Sequence, residues 1–206
     1  MTKIRTLLYS VFLLALTTSA MAGSSMNTAV FAGGCFWGVD AVFKHVKGVK
    51  QVVSGYAGGA SSDPTYPMVS SGSTGHAESV MITYDPQVVS YSKLLEVFFK
   101  VAHDPTQLNR QGPDWGTQYR SAIFYSSAEQ RKLALEEIQV LSKEAGKVKP
   151  IVTEVSSLSR FYPAESYHQN YLASHMDQPY IVVNDLPKIA LLKKSFPELY
   201  VQSAKN

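Results

Sequence analysis

The chain of 206 residues contains a single cysteine, Cys35, so no disulfide can staple it internally and a disulfide-rich scaffold is excluded. Charge is scarce and nearly balanced: the formal net charge is +3, and setting aside Lys3 and Arg5 near the N-terminus leaves +1. An excess so small and dispersed argues against nucleic acid or an anionic membrane as partner and fits a neutral or peptide-like substrate. Long apolar runs are missing too. The longest, Leu7 to Leu16, is too short to cross a hydrocarbon core of about 30 Å comfortably, and no later segment approaches it. The five histidines, His45, His76, His103, His168 and His175, lack the short helical spacings of a zinc site, and no second cysteine joins them, so no metal is expected. No internal repeat or low-complexity tract breaks the chain, and 45% hydrophobic residues over this length can bury one sizeable core, so one compact domain is expected.

The first residues belong to a different category. Lys3 and Arg5, the apolar run, and then Ala20-Met21-Ala22 have the order of a secretory signal, which predicts a leader over 1–22, cleavage after Ala22 and a mature chain of 23–206. An uncleaved anchor is the alternative. The expected location is periplasmic or secreted, with no membrane attachment once the leader is gone and a monomer as the default state. Exported proteins usually pair their cysteines, so a lone Cys35 is either a buried small hydrophobe or a reactive thiol.

Asn27 to Ala32 reads as a strand ending at Gly33-Gly34, after which Phe36, Val39, Phe43 and Val46 recur at helical spacing and Val49 to Tyr56 reads as a second strand. That is a βαβ unit. Gly59 to Gly75 is a Gly, Ser and Pro-rich loop, and Ala77 to Tyr84 is a strand joined to its predecessor without an apparent helix. Ser90 heads an apolar helical face of Leu94, Leu95, Val97, Phe98 and Val101; Asp104 to Thr117 is a long polar loop; Ser121 to Tyr125 is a strand. Ser126-Ser127-Ala128-Glu129 has a capping-box pattern opening a helix to about Ala145, Val148 to Val155 has strand composition, Pro163 suits a first helical position, and the tail holds a helix from Pro187 to Phe196. The fold class expected is α+β: a mixed β-sheet with packed helices, a ferredoxin-like two-layer core built around the βαβ unit.

A strand that stops at two glycines and restarts as a helix places Cys35 over unpaired helix amides, which favour an anion and are expected to lower the thiol pKa toward the reactive range. Phe36 and Trp37 follow it directly. On spacing alone they are equally a core residue with a partly buried neighbour and an aromatic wall beside the sulfur.

Gly33-Gly34-Cys35-Phe36-Trp37-Gly38 resembles the active-site motif of the peptide methionine sulfoxide reductase A family. Four further blocks resemble it in order: Gly55-Tyr56-Ala57-Gly58-Gly59; Gly72-Ser73-Thr74-Gly75-His76-Ala77-Glu78; His103-Asp104-Pro105-Thr106 running through Gly116-Thr117-Gln118-Tyr119-Arg120-Ser121; and Ala164-Glu165-Ser166-Tyr167-His168-Gln169-Asn170-Tyr171. They cover the chain from about Val30 to Leu172. The resemblance implies that 23–206 is one catalytic domain that reduces the S epimer of free or protein-bound methionine sulfoxide, repairing oxidised proteins. It implies Cys35 as the nucleophile, passing through a sulfenic acid, and Glu78 as the proton source for the sulfoxide oxygen. Tyr66 and Tyr119 would hydrogen-bond that oxygen or a bound water, Phe36 and Trp37 would hold the methyl group, and Asp114 would help position the substrate's backbone amide. Taken singly, Glu78, Asp114 and Tyr119 are ordinary strand and loop residues.

The chain departs from the family pattern in its tail. Many members carry further cysteines there that form a disulfide with the oxidised nucleophile, whereas Asp177 to Asn206 has none, and Ser70 stands where a cysteine is common in relatives. Regeneration is therefore expected to use no bound cofactor but an external thiol reductant: a small thiol, or a glutaredoxin-like or thioredoxin-like partner. Two other readings compete. In one, a Cys-His hydrolase or acyltransferase takes His103 or His168 as its base. In the other, an inactive exported binding domain has kept the fold, with Cys35 sluggish toward alkylating agents.

Overall fold

The computed structural model describes residues 25–60, 62–143 and 149–202, so the predicted leader at 1–22 lies outside the described residues. In chain order the elements are β1 (Asn27–Gly33), α1 (Phe36–Lys44), β2 (Val49–Ala57), the short α2 (Tyr66–Ser70), β3 (Ala77–Tyr84) and α3 (Tyr91–Val97). The last of these widens into a π-type turn over Phe98–Ala102. A two-stranded ribbon, β4 (Arg110–Gln111) and β5 (Asp114–Trp115), and a 3₁₀ turn at Thr117–Tyr119 lead into β6 (Ser121–Tyr125) and α4 (Ala128–Lys143). Then come β7 (Glu154–Ser157), β8 (Phe161–Pro163), a 3₁₀ turn at Ser166–His168, α5 (Tyr171–Ser174), α6 (Pro179–Asn184) and α7 (Leu186–Ser195).

Six strands form one sheet in the order β7-β6-β1-β3-β2-β8, antiparallel throughout except for the parallel β6–β7 pair. Because β3 lies antiparallel between β1 and β2, those two strands run parallel without touching, and α1 crosses from one to the other over the sheet. This split βαβ, repeated through α3 between β3 and β6, is the expected ferredoxin-like core in a mixed α+β sheet.

Side chains alternate along each strand as the pleat requires. Ala29 and Phe31 on β1, Val52 and Tyr56 on β2, Val80 and Ile82 on β3 and Ile123 on β6 face the helices. Val30, Ala32, Ala57, Ala77, Ala122 and Phe124 face the other way into a smaller cluster closed by Met81, Leu158 and Phe161. On the helix side, Phe31 is fully buried between Phe43 of α1 and Phe98, whose ring stacks on it at 4.8 Å. Each such side chain contributes roughly 1.5–3 kcal/mol of burial. Ser90 caps α3 as its position suggested, its Oγ accepting from the Lys93 amide at 3.1 Å.

Several expectations shift. The β2–β3 connection does contain a helix, the single turn of α2. The cap of α4 sits one residue later than the motif suggested: Ser127 Oγ accepts from the Gln130 amide, and the Gln130 side chain returns to the Ser126 amide. Val148 lies outside the described residues, and the strand predicted there begins at Glu154 because the Val152 amide bonds Pro105 O instead. Pro163 ends β8 rather than opening a helix; β8 is an edge strand, where a missing N–H costs no ladder bond. Among the described residues no helix is long and apolar enough to cross a membrane.

Candidate active site

The site forms where β1 hands over to α1. Gly34 takes φ +89, a backbone conformation that side chains resist, and a Cβ there would lie 2.5 Å from the Gln111 side chain, so both the turn and the neighbouring ribbon require glycine. The turn delivers Cys35 to the N-cap of α1, buried and unpaired with any other cysteine.

Glu78 arrives from the sheet. It continues the row of Val80 and Ile82 toward the helices and pairs across the ladder with Tyr56. Its side chain is 2% exposed, and its Oε2 accepts from the Phe36 amide at 3.0 Å, one residue from the cysteine. Burial outweighs that bond and, with Asp114 nearby, pushes the carboxyl up to about 8. A carboxyl with that value is mostly protonated at neutral pH, so Glu78 is a neutral acid.

The thiol behaves differently from the helix-end expectation. Burial is the largest influence on Cys35, followed by the charges of Glu78 and Asp185, and together with Asp114 they raise its pKa well above 9; only the Trp37 amide pulls the other way. The amides at the start of α1 are therefore outweighed, and Cys35 rests as a thiol. Slow alkylation at neutral pH consequently no longer separates an active protein from a decayed one.

The other expected residues ring this pair. Phe36 is core, 1% exposed, with its ring 5.0 Å from that of His168, whereas Trp37 is half-buried. Trp37 stacks face to face on Tyr171 at 3.8 Å, meets Tyr180 edge-on, and donates its Nε1–H to His168 Nδ1 at 3.1 Å. Tyr66 opens α2, with its amide held by Glu165 Oε1 at 2.8 Å; the other oxygen of Glu165 accepts from Tyr56 Oη at 2.8 Å. Tyr119 ends the 3₁₀ turn before β6. Burial and then the Glu78 charge raise both phenols, Tyr66 to about 12. Asp114, half-buried on β5, accepts from Tyr180 Oη, and its carboxyl is raised by burial against the pull of Tyr180 and Lys188. Cys35, Glu78, Tyr66, Tyr119 and Asp114 thus share one electrostatic neighbourhood.

Glu165, Tyr171, Tyr180, Asp185 and Lys188 were not singled out from the sequence. The first two lay inside a motif block with no role attached. The last three sit in the tail, where the one available signal was Gly38, a glycine inside an apolar helix that marks a close approach.

A histidine base is not in place. His103 Nδ1 bonds Phe98 O at 2.9 Å and its Nε2 bonds Ser121 Oγ at 2.7 Å, burial lowers it to about 4, and His168 spends Nδ1 on Trp37. The Cys-His hydrolase reading has no support here. Among the described residues no group of three or more His, Cys, Asp or Glu could hold a metal ion.

The family model for peptide methionine sulfoxide reductase matches residues 27–199. The chain belongs to the peptide methionine sulfoxide reductase family. Peptide methionine sulfoxide reductase MsrA 2 of Mesorhizobium japonicum is 57% identical over 179 residues, covering 87% of this chain and 92% of that one. The MsrA of Nautilia profundicola is 57% identical over 164 residues, 80% of this chain and 92% of its own. Among solved structures, methionine sulfoxide reductase A of Corynebacterium diphtheriae aligns with a TM-score of 0.71 at 34% identity, covering 79% of this chain and 81% of that one. Reduced Mxr1 from Saccharomyces cerevisiae aligns at 0.68 and 31%, covering 78% and 92%. The match to this reductase family runs through every element that builds the site, from β1 to α7.

Proposed function

We propose that the protein reduces the S epimer of methionine sulfoxide, free or within proteins, with Cys35 as nucleophile and Glu78 as acid. What carries this reading is the Phe36 amide bond that seats a buried, protonated carboxyl beside the residue bearing the thiol. Cys35 Sγ attacks the sulfoxide sulfur while Glu78 gives its proton to the oxygen, and Tyr66 and Tyr119 donate to that oxygen as charge develops on it. The substrate sulfur–oxygen bond breaks, methionine leaves as the thioether, and the oxygen passes to Cys35 as a sulfenic acid. The thiol proton replaces the one Glu78 gave up, so the step neither consumes nor releases protons. Phe36 and Trp37 form the apolar side of the pocket for the methyl group, and Asp114 accepts from the substrate's backbone amide.

With no second cysteine, the sulfenic acid is reduced from outside: one thiol condenses with it and releases water, and a second thiol frees Cys35 as the disulfide departs. A thioredoxin-like or glutaredoxin-like protein or a small thiol supplies both. The leader over 1–22 directs the monomer out of the cytoplasm, where methionine oxidation makes such repair useful.

Mixed with excess peptide sulfoxide and no thiol, the protein should make one methionine per chain and then stop, with Cys35 trapped as its adduct with a β-diketone. Continued turnover without any reductant, or no burst at all, would contradict the scheme.

A further inference from the structure

The tail that lacks cysteines is not idle. Asp185, between α6 and α7, is 0% exposed; its Oδ1 pairs with Lys188 Nζ at 3.1 Å, and its Oδ2 is buried with no hydrogen-bond partner among the described residues. The pair lies directly against Gly38 in the first turn of α1. A Cβ there would stand 2.0 Å from Asp185 Oδ1 and 2.8 Å from Lys188 Nζ, and only Phe36 and Trp37 separate that glycine from Cys35 in the chain. A fully buried carboxylate is costly to build even beside a lysine and, with one of its oxygens unsatisfied, is a poor device for stability alone.

We propose that Asp185 and Lys188 form a positioning pair for the nucleophile: seated on Gly38, they hold the start of α1 and keep a buried carboxylate acting on Cys35, so the thiol of the empty site reacts slowly. The groups that act on that thiol are Glu78 from β3, the Trp37 amide from α1, Asp114 from β5 and Asp185 from the α6–α7 junction, and the phenols of Tyr66 on α2, Tyr119 in the 3₁₀ turn before β6 and Tyr180 on α6 interact with it as well. Asp185 in turn faces Lys188 and Asp114. At neutral pH Glu78 is protonated, which leaves Asp185 the leading charged influence on Cys35 after burial itself. In a chain with no resolving cysteine, a thiol that ionises readily in the empty site would be exposed to idle oxidation that no neighbour could reverse. The role rests on Cys35 being the reactive group of the proposed function, but its test reads the thiol directly.

The experiment measures the rate of Cys35 alkylation by iodoacetamide against pH for the full-length protein, Asp185→Asn, and the double variant Asp185→Asn/Lys188→Gln, which leaves no unpaired buried charge. Near-ultraviolet circular dichroism reports folding. On the rising limb Asp185→Asn should alkylate several-fold faster at each pH, each unit of displacement being about tenfold in thiolate. The double variant should fall between Asp185→Asn and wild type. Profiles that superimpose on wild type in folded variants would overturn the proposal while leaving the reductase reading intact, since sulfoxide reduction with dithiothreitol is measured separately.

Discussion

Glu78 shows how one residue's surroundings set its chemistry. The carboxyl of a free glutamate titrates near 4.5; here it holds its proton to about 8 because it is buried, despite the Phe36 amide bond. The folded state therefore binds that proton more tightly than the unfolded state does, and stability is lost as pH rises from about 4.5 through about 8. Glutamine keeps an oxygen for the Phe36 amide and has no proton to lose. Glu78→Gln should thus melt at a higher temperature than wild type at pH 8 to 9, with the difference shrinking toward pH 4, while sulfoxide reduction falls roughly a hundredfold or more. Scanning calorimetry across that pH range, alongside turnover, checks both. A variant that loses activity and shows the same stability difference at every pH would mean that Glu78 is not the buried acid described.

At the scale of elements, the turn from β1 into α1 is the part on which the site depends most. Gly34→Ala puts a side chain into the φ +89 conformation and against Gln111 at 2.5 Å. Urea denaturation should show a loss of about 2 kcal/mol or more, with activity falling as Cys35 is displaced. Wild-type stability in that variant would show that the turn is not strained by a Cβ. Most of this element was legible beforehand, because alternating apolar residues, paired glycines and a helical repeat are local signals. So were β3, β6 and the Ser90 cap. Pro163 was misread because its meaning depends on whether its strand lies at a sheet edge, and the α4 cap was off by one because Ser126 and Ser127 offer the same hydroxyl.

Across the whole molecule, the motif blocks converge because the six-stranded sheet sets β1, β3 and β2 side by side, so that Cys35, Tyr56 and Glu78 meet although Cys35 and Glu78 lie 43 positions apart in the chain. Sequence motifs could name those residues but not the protonation states their convergence imposes. The helix end suggested an acidified thiol, and only the assembled burial and the Glu78, Asp185 and Asp114 charges reveal a raised one. Likewise Tyr180, Asp185 and Lys188 reach the site through tail packing on Trp37 and Gly38, contacts that no local pattern encodes.

The central claim is that Cys35 takes the oxygen from methionine sulfoxide. Its most direct test incubates the 23–206 chain, and Cys35→Ser beside it, with a peptide bearing one methionine S-sulfoxide and excess dithiothreitol, following the mass of the peptide. Loss of one oxygen with wild type and none with Cys35→Ser is the predicted result. An unchanged peptide with folded wild type, or equal loss with both proteins, would contradict it.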